Sequence, residues 1–306
     1  MADALFSKPQ ETEPLNYTQE IRQMMHGFGD SSEPLDGSVK IIEDVVLQQM
    51  RAIVRKACEI ADRRAGSKKT NIIQGEDLLF LLRKDKIKLQ RLVKYLELKE
   101  IGSSVQKLMN DMPQITDPDQ TDSGKKKVPF QSFLEEIDNT GELLENPSVM
   151  DEVKQRRCLR ADITARSMDE IRYIKFSRAR RVSFLNKNRH KFSDWIGTDD
   201  FTLSKQAYLI LGYLAYETVA QIIDLAFIVR QDQEKRNSDA IERQRLHFVN
   251  PCTYRPYYHN KNFETRPLTP SEITEALRRY WSPQLDMTGP FNRWLMRKSH
   301  LKLLSC

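Results

Sequence analysis

Catalysis needs nucleophiles, bases or ligands held within bonding reach of one another, and the residues able to do this are sparse and scattered along the 306-residue chain. Five histidines (His26, His190, His247, His259 and His300) stand singly in polar sequence, with no His-Glu-x-x-His pair and no spacing suited to zinc. The four cysteines, Cys58, Cys158, Cys252 and Cys306, lie far apart without a Cys-x-x-Cys pair. That argues against a structural metal or a disulfide framework and fits a reducing cytosolic or nuclear compartment. Gly124 precedes Lys125-Lys126-Lys127, but no earlier glycine sits at phosphate-loop spacing and no Ser or Thr follows. Gly27-Phe28-Gly29 closes a helix, and no Gly-x-Ser-x-Gly occurs. The expectation is a protein that is not an enzyme and carries no cofactor or metal. An active site of unrecognised kind is the alternative, and turnover by the purified chain would have to demonstrate it.

Recognition chemistry has better candidates. Glu217 and Asp224 lie about two turns apart in an otherwise apolar stretch, where a carboxylate is paired internally, sits at a solvated edge or faces a partner. Tyr254, Arg255, Tyr257, Tyr258 and Phe263 bring together residue types that anchor interfaces, although the same rings could fold back on their own domain. Between Lys154 and Lys191 there are 13 basic residues against 3 acidic ones. This suggests either a surface for nucleic acid or an acidic partner, or a solvated face balanced by nearby acids. The whole-chain balance of 49 basic to 43 acidic residues, net +6, is weak support for direct DNA binding.

The elements that must position these groups are helices. Ile21, Met24, Met25 and Phe28 mark one face of a short helix that Gly27 and Gly29 end. Asp36 is placed to cap a much longer one, on which Val39, Ile42, Val46, Met50, Ile53, Ala57 and Ile60 recur at steps of three or four until Gly66. At 1.5 Å per residue that rod is roughly 40 Å long, and a rod with one apolar stripe needs a partner laid across it. Ile72-Ile73 reads as extended, followed by a short helix from Gly75 to Leu82 and another from about Asp85 to Lys99. A second long helix spans about Leu203 to Arg230 with Thr202 or Ser204 as its cap, and it is apolar on more than one side. Glu217, Gln221 and Asp224 interrupt its most apolar part, so it reads as a buried helix and not a bilayer span. Thr269-Pro270-Ser271-Glu272 is a capping box opening a short helix with Ile273, Leu277 and Tyr280 or Trp281 inward. The order of short, long and short helix therefore occurs twice.

That order is the histone fold, and five stretches make the match specific: YTQEIRQMMHGFGD, SVKIIEDVVLQQMRAIVRKACEIADRR, QGEDLLFLLRKD, FLNKNRHKFSDWIG and TPSEITEALRRYW. Together they resemble the histone-fold subunit family of the SAGA coactivator named for suppression of Ty insertions, and the two halves are similar to two TFIID subunits that pair with each other. The resemblance implies an all-α chain with two histone folds forming an intramolecular pair. It further implies a nuclear transcription coactivator subunit that scaffolds SAGA, contacts other histone-fold subunits, and binds or delivers the TATA-box-binding protein to promoters for RNA polymerase II. DNA contact would be indirect or weak, with no membrane association. The alternative is a histone-like module binding DNA through residues 154–191.

The expected organisation is a disordered segment at 1–16 and a first histone fold with an extra helix at 17–100. A linker with a short acidic amphipathic segment follows at 101–165, then a second histone fold at 166–281 with a long insertion at 231–266, and a tail at 282–306. Glu217 and Asp224, with Tyr254, Arg255, Tyr257 and Tyr258, are the candidate partner contacts, since the TATA-box-binding protein is broadly basic. Histone folds pair an arginine with an acid of the last helix, and the expected clamps are Arg63 or Arg64 with Asp77, and Arg266 with Glu272.

Overall fold

The two apolar stripes dictate two rods, and the chain builds a short-long-short set of helices around each. The computed structural model describes residues 15–66, 71–110, 130–138, 141, 150–185, 189–197, 201–237, 266–282 and 302–306. The first half comprises α1 (Thr18–Gly27), α2 (Asp36–Ala65), a two-residue strand β1 (Ile72–Ile73), α3 (Gly75–Leu82) and α4 (Lys86–Asn110). Then come α5 (Gln131–Ile137), α6 (Glu152–Arg166) and α7 (Glu170–Ala179). The second half holds α8 (Arg189–Ile196), β2 (Thr202–Leu203), α9 (Lys205–Asn237) and α10 (Pro270–Trp281). The architecture is all-α, with two histone folds in one chain.

Val39, Ile42, Val46, Met50, Ile53 and Ala57 are buried along α2, and Gly66, with φ of 67°, stops the helix in a conformation that favours glycine. Asp36 is not the cap: Leu35 holds that position, and Asp36 sits in the first turn, paired with Arg22. α9 is uninterrupted and covered on several sides. Its Ser204 hydroxyl caps it by accepting the Ala207 N–H at 3.1 Å, while Thr202 lies in β2. Although α9 is apolar enough by composition to cross a membrane, 67% of that stretch is buried within the protein. The Thr218 hydroxyl, fully buried there, donates to the Leu214 carbonyl at 2.7 Å.

The two rods pack on each other and exchange contacts at both ends. At one end the turn after α2 meets the turn before α9: β1 and β2 pair in parallel, Ile72 opposite Thr202 and Ile73 opposite Leu203. The Thr202 N–H donates to Asn71 O (2.7 Å) and the Ser204 N–H to Ile73 O (3.0 Å). At the other end Leu268 donates its N–H to Asp30 Oδ1 (2.9 Å) and its carbonyl accepts from the Ser38 hydroxyl (2.6 Å). Each bridge joins one fold to the other, which is the reciprocal handshake of a histone pair. Its aromatic corner is Tyr17 with Phe184 (5.1 Å) and Trp195 (4.9 Å between ring centroids).

Several stretches differ from the sequence expectation, and α9 is one: it runs on to Asn237, so the first residues of the expected 231–266 insertion are helical. α4 runs on to Asn110, and α6 makes a helix of residues assigned to the 101–165 linker. α7 packs on α1, with Gly27 so close to the Ala179 backbone that a Cβ would stand 3.1 Å from it. The short opening helix of the second histone fold is therefore α8. The acidic segment folds back on its own protein: Leu134 is 2% exposed, and the Phe130 ring occupies the space a side chain at Gly75 would need. In the tail, Leu303, Leu304 and Ser305 are buried.

Candidate partner-contact site

Glu217 and Asp224 are seven residues apart on α9 and so project from the same face two turns apart. A carboxylate there is costly without a counter-charge, and α6 supplies it. Arg157, on the inner side of α6, reaches both: its Nη1 donates to Glu217 Oε2 (2.9 Å) and its Nε to Asp224 Oδ2 (2.6 Å). Arg160, one turn along, donates from Nη2 to Asp224 Oδ1 (2.5 Å) and from Nε to the Phe28 carbonyl (2.8 Å). Arg91 of α4 donates to Glu217 (3.0 Å) and, through two nitrogens, to Asp151 at the head of α6 (2.6 and 2.8 Å).

The result is an alternating network of three arginines and three carboxylates tying α4, α6 and α9 together, with the Glu217 and Asp224 side chains only 13% and 17% exposed. Burial alone would lower the Arg157 guanidinium pKa, but Glu217 and Asp224 raise it above its ordinary value. Burial would likewise raise the Asp151 carboxyl, and the Arg91 hydrogen bond brings it below its ordinary value instead. Glu217 and Asp224 are thus internal ion-pair partners. Facing a partner protein, as the sequence allowed, would require breaking this network.

The same helix favours one of the two readings of the 154–191 stretch, the face balanced by nearby acids. Arg157 and Arg160 point inward, and Lys191 Nζ lies 3.2 Å from Glu20. Arg156, Arg166 and Arg172 pair with Glu152, Asp162 and Asp169 of their own segment. Much of the local positive charge is therefore met by carboxylates, some of them outside the stretch, which a charge count could not reveal.

Each fold has one arginine–carboxylate clamp, the first as expected and the second with a different arginine. Arg64, near the end of α2, places Nη2 3.0 Å from Asp77 Oδ2, and that carboxylate also accepts the Gln74 N–H (2.8 Å) at the head of α3. Arg63 makes no such contact with Asp77 among the described residues. In the second fold the arginine is Arg230, two turns before the end of α9, and not Arg266. Arg230 Nε and Nη2 donate to Glu272 Oε1 and Oε2 (2.9 and 2.8 Å), and Glu272 accepts the Thr269 N–H (2.8 Å) in the capping box of α10. Arg266 contributes only its carbonyl, which accepts from Arg230 Nη1 at 2.7 Å. The sequence offered Arg266 as the loop arginine, yet the guanidinium that reaches Glu272 comes from the long helix packed beside the third one. Tyr254, Arg255, Tyr257, Tyr258 and Phe263 lie outside the described residues. Among the described residues, no group of three or more His, Cys, Asp or Glu side chains is placed to hold a metal ion.

Residues 15–111 match the family model described as transcription initiation factor IID, 18 kD subunit. Over nearly its whole length the chain is similar to SAGA complex subunit Spt3 of Drosophila melanogaster, 28% identical over 87% of this chain and 68% of that one. It is 27% identical to the Schizosaccharomyces pombe subunit of the same name, over 89% and 92% of the two chains. Its first fold is also 38% identical to transcription initiation factor TFIID subunit 13 of Arabidopsis thaliana, covering 31% of this chain and 70% of that protein.

Proposed function

The chain belongs to the Spt3 family of SAGA histone-fold subunits, related through its first fold to TFIID subunit 13, and on that premise we propose that it scaffolds SAGA in the nucleus and binds the TATA-box-binding protein for delivery to promoters. It is a transcription coactivator subunit. The observation that carries the scaffold role is the handshake: both loop bridges and both clamps are satisfied within one chain, so the pair arrives preassembled and its outer surface is left for other subunits. Nothing about this role requires catalysis, and the architecture supports a non-enzymatic reading.

Since Glu217 and Asp224 are engaged internally, the better candidate contact for the TATA-box-binding protein is the stretch 238–266 that follows α9, with Tyr254, Arg255, Tyr257 and Tyr258. The test is capture of purified TATA-box-binding protein by the full-length chain, alongside mass identification of partners retained from nuclear extract. Wild type should retain the TATA-box-binding protein and SAGA subunits, and Tyr257→Ala with Tyr258→Ala should weaken capture by about tenfold or more while helical circular dichroism is unchanged. Failure of the wild-type chain to capture it overturns the reading. Duplex DNA binding that survives physiological salt would favour the histone-like DNA module instead.

A further inference from the structure

Gln49 presents a difficulty that the two folds do not resolve between themselves. It is fully buried in the middle of α2, between Val46 and Met50, where an amide without partners is costly. Half of this need is met from residues far along the sequence: Gln49 Oε1 accepts the Leu304 N–H at 3.0 Å, while its Nε2 has no hydrogen bond among the described residues. That contact is one of four made to three successive residues. Trp281 Nε1 donates to the Lys302 carbonyl (3.2 Å), the Tyr280 hydroxyl to the Leu303 carbonyl (2.9 Å), and Lys88 Nζ to the Leu304 carbonyl (3.4 Å). The Lys302 ammonium stands over the Tyr280 ring, 4.5 Å from its centroid. Leu303 and Leu304 are 6% and 1% exposed, the latter beside Leu82 and Leu214.

Side chains from α2, α4 and α10 therefore read the main chain of a short non-helical peptide, and two leucines fill the crevice beside α9. Main-chain hydrogen bonds supplying affinity and side-chain pockets supplying selectivity are how proteins recognise short linear segments. Simple burial of an apolar end would explain the leucines but not four polar side chains aimed at consecutive peptide groups, one of them buried on the apolar stripe of a core helix. The crevice is also composite: Gln49 and Lys88 belong to the first fold, Tyr280 and Trp281 to the second. It exists only when the folds are paired.

We propose that the crevice between α2, α4, α9 and α10 is a peptide-binding groove for a short segment of the pattern basic-Leu-Leu, and that residues 302–306 of the same chain are its occupant. A tethered ligand is present at an effective concentration on the order of millimolar, so a free peptide of the same sequence at micromolar concentration is excluded while the tail is seated. The tail acts as a latch across the two folds, and the groove opens to a peptide of matching pattern only when the tail leaves.

The test uses the full-length chain, as wild type and as Leu304→Asp, with a fluorescently labelled peptide of residues 302–306 as the probe. Anisotropy should show saturable binding to Leu304→Asp and binding at least about tenfold weaker to wild type, the difference coming from the seated tail. Equal binding to both, or no binding to a variant with native circular dichroism, overturns the proposal. A dimeric wild-type chain on sizing, with the tail cross-linking to a second copy, also overturns it. Should Leu304→Asp not fold, the wild type alone decides: Cys306, within the latch, should react with iodoacetamide at least about tenfold more slowly than the exposed Cys158, and equal rates would sink the idea.

Discussion

Replacing Glu272 with glutamine keeps the shape of the side chain and removes only its charge, which isolates the clamp of the second fold. The Glu272 side chain is 3% exposed and that of Arg230 14%, so solvent screens the pair little. Burial by itself would raise the Glu272 carboxyl, but two hydrogen bonds from Arg230 and one from the Thr269 N–H reverse this, bringing it from its ordinary 4.5 to about 2. A gap of about 2.5 pH units corresponds to roughly 3 kcal/mol of folding free energy at neutral pH. Glutamine can still accept one of these hydrogen bonds, so Glu272→Gln should cost about 2–3 kcal/mol at pH 7.

The folded value is the depressed one. The stabilisation is therefore complete above the unfolded value of 4.5 and lost as pH falls through about 2. Between pH 7 and pH 3.5 the advantage of wild type over the glutamine variant should shrink by about 1.4 kcal/mol. Urea unfolding followed by circular dichroism at the two pH values measures both quantities, and effects of other carboxylates cancel in the difference. A cost independent of pH, or a cost under about 0.5 kcal/mol at pH 7, would refute the assignment of this stability to the ionised clamp.

Two further outcomes follow from the packing. Asp224→Lys sets a third positive charge against Arg157 and Arg160, which lie 2.6 and 2.5 Å from the native carboxylate. It should cost about 3–5 kcal/mol and lower the thermal midpoint by roughly 10 °C or more, with an unchanged midpoint ruling out a structural role for the network. Gly212→Ala gains about 1 kcal/mol of helix propensity, but the new methyl group would collide with Leu185. A net loss of about 1–3 kcal/mol in urea unfolding is expected, and a gain would mean that Leu185 yields freely.

Periodicity made the rods legible because burial follows it directly: the stripe Val39, Ile42, Val46, Met50, Ile53 and Ala57 is the buried face of α2. Duplication made the handshake legible, since the same helix order twice implies two stripes that cover each other. Direction was what the sequence withheld. Residues 154–191 allowed either a basic interaction surface or a face balanced by nearby acids, without saying which arginine points where; α6 turns Arg157 and Arg160 inward and Arg156 and Arg166 outward. The signal was nonetheless present: arginines three apart, and carboxylates seven apart on α9, are spacings that place each set on one helix face. Arg230 was findable by analogy with Arg64, because both are arginines in the C-terminal part of a long helix. Residues 302–306 are too few for any period to show, and their burial depends on tertiary contacts alone.

The clamps and the bridges are parts of one device. In the first fold Asp77 fixes the turn at Gln74, directly after the β1 strand that pairs with β2 of the second fold. In the second, Glu272 fixes Thr269, and the neighbouring Leu268 is the residue whose N–H and carbonyl meet Asp30 and Ser38 of the first fold. Each clamp thus holds in place the turn that the other fold grips. A loss at Glu272 cannot be confined to the second fold, because freeing Thr269 also frees Leu268, and with it the partner of a buried aspartate whose second oxygen has no hydrogen bond among the described residues. The two folds should therefore share one unfolding transition, and Glu272→Gln should shift the whole transition without splitting it.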